Sequence, residues 1–245
     1  MSERFFVEQP IVDDAAELQG PEVHHLAHVL RARVGDEVTV FDGSGAEFQA
    51  RIERIDRSRV MLAIVERREI DRELACPLTI GVSLPRGDRQ KWLVEKLTEL
   101  GVTRIVPLLA KRTVAEPGSG AQERLRRATI EAAKQCGRNR LPELAAPSSP
   151  ADYFSSTPVE SARWIAHPGA PTIDLNAMVL PSQHAAGSSS KRESFLAIGP
   201  EGGFTDEEVQ LALQAGWRQV GLGRRILRIE TAAVALASLF ALASE

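Results

Sequence analysis

Cysteine is scarce: the 245-residue chain has two, Cys76 and Cys136, and no CxxC pair. That excludes a disulfide framework and agrees with a reducing compartment. Long apolar runs are missing as well. The longest nearly apolar stretch, 231–244, falls short of the roughly 20 residues a membrane span needs, so no membrane partner is expected. The opening MSERFFVEQP carries two charges and none of the apolar length of a secretory leader. No GxxxxGK[ST] occurs, and GLGRRI at 221–226 begins like GxGxxG but has Ile226 where the third glycine belongs, which disfavours ATP and NAD(P) by their usual motifs. No HExxH occurs either. His24 and His28 lie one helical turn apart without a third ligand at metal spacing, so they read as ordinary histidines and no metal is expected. Cys136, beside Arg138, has no histidine near it in sequence and reads as a buried helix cysteine rather than a nucleophile. No internal repeat is visible.

What remains is an ordinary globular composition, 43% hydrophobic and 26% charged, with a net charge of -3. The expectation is a cytoplasmic protein of one large or two modest domains. The net charge hides an asymmetry. Residues 1–72 hold 10 basic against 15 acidic side chains, whereas 109–140 holds eight against three, and 218–228 has four arginines and no acid. Local basic clusters of this kind bind phosphates even on an acidic protein, although a charge run is as readily a solvated helix face.

Periodicity divides the chain near residue 72. In 1–72, EVTVF at 37–41 and EFQARI at 47–52 flank the turn DGSG, as a hairpin does, and RVMLAIV at 59–65 adds a strand. Residues 21–30 place Val23, Leu26, Ala27 and Leu30 on one helical face. A small β-barrel-like module with one helix fits. From 73 onward strands and helices alternate. Strands are expected at 78–84, 105–109, 163–167, 195–199 and 220–222. Helices are expected at 90–100 (capped by Asp88 and stopped at Gly101), at 122–135 with Arg124, Arg127, Glu131 and Lys134 on its polar side, after a Thr205–Glu208 capping box, and at 230–243. That alternation argues an α/β domain with a largely parallel sheet. Residues 142–158 and 182–193, rich in Pro, Gly or Ser, read as loops.

Three segments carry chemical signals. IGPEGGF at 198–204 puts three glycines and a proline between a buried-type strand and a capped helix, letting backbone approach a ligand closely. LGRRILRIETA at 222–232 sets arginines beside a glycine turn and an apolar pair able to hold an aromatic base. KQCGRNR at 134–140 ends a helix in a basic corner suited to RNA phosphates or a base edge.

In this order, and together with Arg4-Phe5-Phe6, His25 to Arg31, Phe41-Asp42-Gly43, KLTELGV at 96–102 and Gln135 to Pro142, these segments resemble the RsmE family of SPOUT methyltransferases, and the resemblance covers nearly the whole chain. It implies a PUA-like RNA-binding β-barrel over 1–72 and, over 73–245, an α/β SPOUT methyltransferase domain with a C-terminal trefoil knot, in a homodimer. It implies S-adenosylmethionine-dependent methylation of N3 of a uridine in 16S ribosomal RNA. The cofactor pocket would be formed by His167, Gly199, Pro200, Glu201, Gly202, Gly203, Leu222, Gly223, Ile226, Leu227, Arg228 and Thr231. Arg138, Arg225 and Arg228 are candidates for contacting the target base or its phosphates, and Glu201 for orienting groups near the reacting centre or for supporting its loop. The sequence departs from the family pattern at Lys111-Arg112-Thr113, where an acidic residue more often precedes the arginine, and at the Gly/Ser-rich 182–193. Two rival readings are a SPOUT methyltransferase acting on another RNA and a non-catalytic ribosome-assembly factor. The first is disfavoured by QCGRNR beside a barrel, the second by intact GPEGG and RILRIETA segments.

Overall fold

The computed structural model describes residues 3–114, 120–172 and 193–243. The chain forms two compact units: Met1–Glu73 with Ile130–Leu141, and Leu74–Thr129 with Pro142–Glu245.

The first unit is a five-stranded sheet in the order β1-β3-β4-β5-β2, from β1 (Arg4–Phe6), β2 (Ala15–Gln19), β3 (Glu37–Phe41), β4 (Ala46–Ile55) and β5 (Arg59–Glu69). The pair β1–β3 is parallel and the others are antiparallel. The expected hairpin is present at 37–55. Two register shifts between β4 and β5, at Gln49/Ala50 and Ile52/Arg54, mark bulges, which sharpen local twist. Phe5, Leu18, Leu26, Val40, Ile52, Val60 and Leu62 form its core. The expected helix over 21–30 is α1 (Pro21–His24) continued by a π-helical turn at His25–Val29, and strands β1 and β2 are additional to those the periodicity marks.

The contribution of Ile130–Leu141 to this unit differs from the expected division at 72. Ile130, Ala133 and Leu141 pack with Phe6 and Phe41. Polar anchors follow: Arg4 donates to Asn139 Oδ1 at 2.7 Å and to the Arg138 carbonyl at 3.2 Å, Asn139 Nδ2 donates to the Ile70 carbonyl at 3.2 Å, and Arg72 donates to the Gly137 carbonyl at 2.8 Å. Lys134, expected on a polar face, is instead tucked against Glu22 at 2.9 Å and above the Phe5 ring. Burial raises the Glu22 carboxyl pKa, and Lys134 offsets this only in part.

The second unit is a six-stranded, fully parallel sheet in the order β11-β9-β10-β6-β7-β8. Its strands are β6 (Leu78–Val82), β7 (Arg104–Pro107), β8 (Glu143–Leu144), β9 (Ala162–Ala166), β10 (Ser194–Ile198) and β11 (Arg218–Val220). Strand β6 is buried at all five positions, as a central strand covered on both faces must be. On one face lie α2 (Asp88–Glu99), α3 (Ala121–Cys136) and α6 (Ile229–Ala243), with Leu93, Leu97, Leu125, Ala233 and Leu236 against Ile80, Val82 and Leu196. On the other lie α4 (Pro150–Ser156) and α5 (Asp206–Gln214), with Phe154, Val209 and Trp217 against Ile165 and Phe195.

Two expectations are corrected here. Residues 142–158 are not a loop: they hold β8 and α4, whose start follows from Ser149, accepting from the Asp152 N–H at 3.1 Å, and from Pro150, whose fixed φ suits a first helical turn. Asp88 does not cap α2. Gly87 occupies the cap, without a side-chain bond, and Asp88 sits inside the first turn. The Thr205–Glu208 capping box forms as expected, with both reciprocal bonds. The 182–193 segment lies, but for Glu193, outside the described residues. Among those described, no helix is long and apolar enough to cross a membrane, and no metal-binding cluster is present.

Candidate functional site

In an open parallel sheet, ligands bind beyond the carboxyl ends of the strands, where successive crossovers diverge. Here β6 and β10 are neighbours in the sheet and divide strands β7 and β8 from β9 and β11. Beyond the ends of β9, β10 and β11 lies a cleft of about 600 Å³, including its open mouth. Its lining comes from three strand ends with their loops, namely Ala166–Pro168, Ile198–Glu201 with Gly203, and Val220, Leu222, Gly223 and Arg225–Leu227, and from Ile229 and Ala232 of α6.

Local chemistry explains each wall. After β9, the His167 N–H bonds the Val220 carbonyl at 3.0 Å, holding the histidine at the rim. Its Nδ1 is buried without a hydrogen-bond partner among the described residues. After β10, Pro200 and Gly203 close a turn at 2.8 Å, with Gly203 at φ +70°, a conformation glycine adopts without strain. After β11, Gly221 is pressed against the chain at 170–171, and a β-carbon there would meet the Ala170 carbonyl oxygen at 2.3 Å. Leu222, Ile226 and Leu227 then supply an apolar surface, with Ile226 85% exposed. Among the described residues, the N–H groups of Leu222 through Leu227 have no internal partner. An apolar slot edged by free backbone donors and one orphaned imidazole nitrogen suits a flat heteroaromatic ring carried by a polar chain.

Of the residues the sequence singles out, the fold brings His167, Gly199, Pro200, Glu201, Gly203, Leu222, Gly223, Arg225, Ile226 and Leu227 into this lining. Gly202, Arg228 and Thr231 are outside it. The Gly202 carbonyl accepts from Arg112 Nη1 at 2.7 Å, and Arg228 and Thr231 are exposed on the approach to α6. Arg138 belongs to the other unit, where it is 3% exposed and paired with Glu73, Nε lying 3.0 Å from Oε1. In this structure its guanidinium is therefore a packing element. Arg224, Arg225 and Arg228 are exposed and make no ion pair among the described residues.

Residues that motif reading missed surround the glycine loop. Lys111, at the departure from the family pattern, pairs through Nζ with Glu207 and donates its N–H to Glu208 Oε1 at 2.8 Å. Arg89 reaches Glu201 at 3.3 Å and Glu230 at 3.5 Å. Lying 112 and 141 residues away in sequence, these carboxylates gave no local signal. The aliphatic wall of Ile198, Val220, Ile229 and Ala232 was also missed, and buried strand and helix positions beside a motif are the cue that would have found it.

The chain is similar over most of its length to known RNA methyltransferases. A family model for an RNA methyltransferase domain matches residues 72–241, and one for an RNA methyltransferase PUA domain matches residues 18–65. The ribosomal RNA small subunit methyltransferase E of Synechocystis is 33% identical over 96% of this chain and 75% of its own. That of Bacillus subtilis is 28% identical over 94% and 92%. The crystal structure of the Neisseria gonorrhoeae ribosomal RNA small subunit methyltransferase E bound to S-adenosylmethionine superposes with a TM-score of 0.82 at 29% identity, covering 97% of this chain and 96% of that one.

Proposed function

Since the chain belongs to the RNA methyltransferase family that includes the ribosomal RNA small subunit methyltransferases E, we propose that it uses S-adenosylmethionine to methylate N3 of a uridine in 16S ribosomal RNA. The observation that carries this is the cleft itself: the GPEGG and LGRRILR segments of the resemblance follow β10 and β11, the two parallel neighbours of β9, and line one slot beyond the strand ends. The unit containing the PUA match would bind RNA, and the parallel-sheet unit would hold the cofactor and carry a trefoil knot near its C-terminal end. Two copies would pair, and the protein would work in the cytoplasm, where small subunits are made.

Leu222, Ile226 and Leu227 would flank the adenine, and the free N–H groups of 222–227 would meet its polar edge and the ribose. The orphaned His167 Nδ1 would take a polar atom of the same molecule. When bound, S-adenosylmethionine supplies an electrophilic methyl on a sulfonium. The chain's task is then to align the acceptor and stabilise it as N3 loses its proton. The uracil imide becomes anionic, with charge on the flanking carbonyl oxygens. Arg225, in the lining, and Arg228, close to it in sequence, make no ion pair among the described residues and would hold that charge or a neighbouring phosphate. Neither takes the proton, because arginine stays protonated. Glu201 is held by Arg89 as an orienting group of the glycine loop. Arg138, buried against Glu73, belongs to the unit that would bind RNA and is not among the residues lining the cleft.

The test is methyl transfer from labelled S-adenosylmethionine to small ribosomal subunits lacking their native modifications, with the labelled nucleoside mapped. N3-methyluridine in 16S RNA is expected. Label on another nucleoside or another RNA keeps the cofactor and moves the substrate. No label, with cofactor still bound, favours an assembly role.

A further inference from the structure

We propose that Arg89 is a positioning residue for cofactor binding: one guanidinium that fastens the glycine loop after β10 to the start of α6. The proposal rests on the functional reading above and concerns a residue outside the cleft lining.

Arg89 is the second residue of α2, the helix that follows the central strand β6. Its Nη2 lies 3.3 Å from Glu201 Oε1, in the loop after β10. Its Nη1 lies 3.5 Å from both oxygens of Glu230, the second residue of α6. Both carboxylates adjoin the cleft: Glu201 is itself in the lining with Pro200 and Gly203, and Glu230 lies in α6 beside Ile229 and Ala232, which are in the lining too. Arg89 itself is 39% exposed at its side chain, Glu201 45%, and Glu230 only 10%. A nearly buried carboxylate is costly to leave without a compensating cation, and in the described structure that cation is Arg89.

Without the guanidinium, two like charges face each other across the loops and one of them is buried without compensation. The planar fork suits the task because it meets two acceptors at once, whereas a lysine ammonium is a single point charge. The glycine loop has a second, independent tether, in which Arg112 Nη1 donates to the Gly202 carbonyl at 2.7 Å. That bond fixes the loop but leaves α6 untouched, whereas among the described residues Arg89 is the side chain whose ion pairs reach both the loop and α6. Loosening a wall by a fraction of an ångström weakens a ligand that spans it more than it alters chemistry once the ligand is seated.

The experiment measures S-adenosylmethionine and S-adenosylhomocysteine binding by calorimetry for the wild type, Arg89→Met, Arg89→Lys, Glu201→Gln and Arg89→Met/Glu201→Gln, beside methyl-transfer kinetics. Arg89→Met is expected to weaken cofactor binding about tenfold or more, with kcat at saturating cofactor within about threefold. Arg89→Lys is expected between the two, and the double variant is expected to lose little more than Arg89→Met alone, since both substitutions break one link. Should Arg89→Met fail to fold, the Lys variant and Glu201→Gln decide. Unchanged affinity in all of them, or fully additive losses, overturns the clamp. A wild type that binds neither molecule overturns the functional reading instead.

Discussion

Asp42 ends the strand that opens the hairpin, and it accepts the Ile11 N–H at 2.8 Å and the Ser44 N–H at 2.9 Å. Burial alone would raise its carboxyl pKa, but the hydrogen bonds from Ser44 and Ile11 outweigh it and the net direction is down. A depressed folded-state pKa stabilises above the unfolded value, 3.8 for this group, and that stabilisation is lost as pH falls through the folded value. Asp42→Asn is therefore expected to be less stable than wild type at pH 7, by about 1–2 kcal/mol. Urea melts repeated at successively lower pH should show the gap closing below 3.8; a gap that stays constant down to pH 2 contradicts the assignment. Gly221 tests the cleft at the same scale. A β-carbon 2.3 Å from a backbone oxygen forces the strand end and the 170–171 segment apart, so Gly221→Ala should abolish cofactor binding in calorimetry. If the variant binds as tightly as wild type, the slot is not the cofactor site.

Among the elements, α5 shows how a short helix holds a functional loop. Glu208 is 5% exposed and its carboxylate accepts two backbone N–H groups, of Thr205 and Lys111, each at 2.8 Å. Thr205→Ala removes one cap and should cost about 1 kcal/mol. Glu208→Ala strands two donors and should cost about 2 kcal/mol or more, with both values read from denaturant unfolding. That capping box was legible in four consecutive letters, as were β3, β6 and α6, because period-2 alternation, a buried run and a capped apolar run leave signals within a few residues. Helix α4 was written as plainly, in Ser149-Pro150 followed by Asp152, yet a Pro/Ser-rich surround masks such a cap unless Tyr153 and Phe154 are read as a buried face. The three short strands β1, β2 and β8, of 3, 5 and 2 residues, are set by partners far along the chain and left no periodicity to read. The cleft was partly legible for the same reason: its glycine turns are local, whereas Arg89 and its carboxylates meet only once the sheet is assembled.

For the whole molecule, the two units make separable predictions. Every lining residue of the cleft lies in the parallel-sheet unit, and the Arg138–Glu73 pair lies in the other. Arg138→Met leaves a Glu73 whose side chain is 15% exposed without its guanidinium, and should destabilise that unit by about 3–5 kcal/mol. Cofactor affinity should persist while affinity for ribosomal RNA falls. Loss of cofactor binding with the fold intact would return Arg138 to the reaction centre.

The first unit is also discontinuous in the chain, which bears on the order in which it can be made. Strand β1 leaves the ribosome with Arg4 committed to an acceptor, Asn139, that is synthesised 135 residues later. At about 5–20 residues per second the wait is on the order of 10 s, far longer than a hairpin needs to form. During that interval Phe6 and Phe41 lack the Ile130, Ala133 and Leu141 that cover them, and the nascent sheet presents an apolar flank to whatever is nearby. Residues 1–73 expressed alone should carry that flank permanently and aggregate, while an otherwise identical fragment with 130–141 joined by a flexible linker should stay monodisperse on gel filtration. The sequence position of the second half of α3 thus sets how long that flank must wait for its cover.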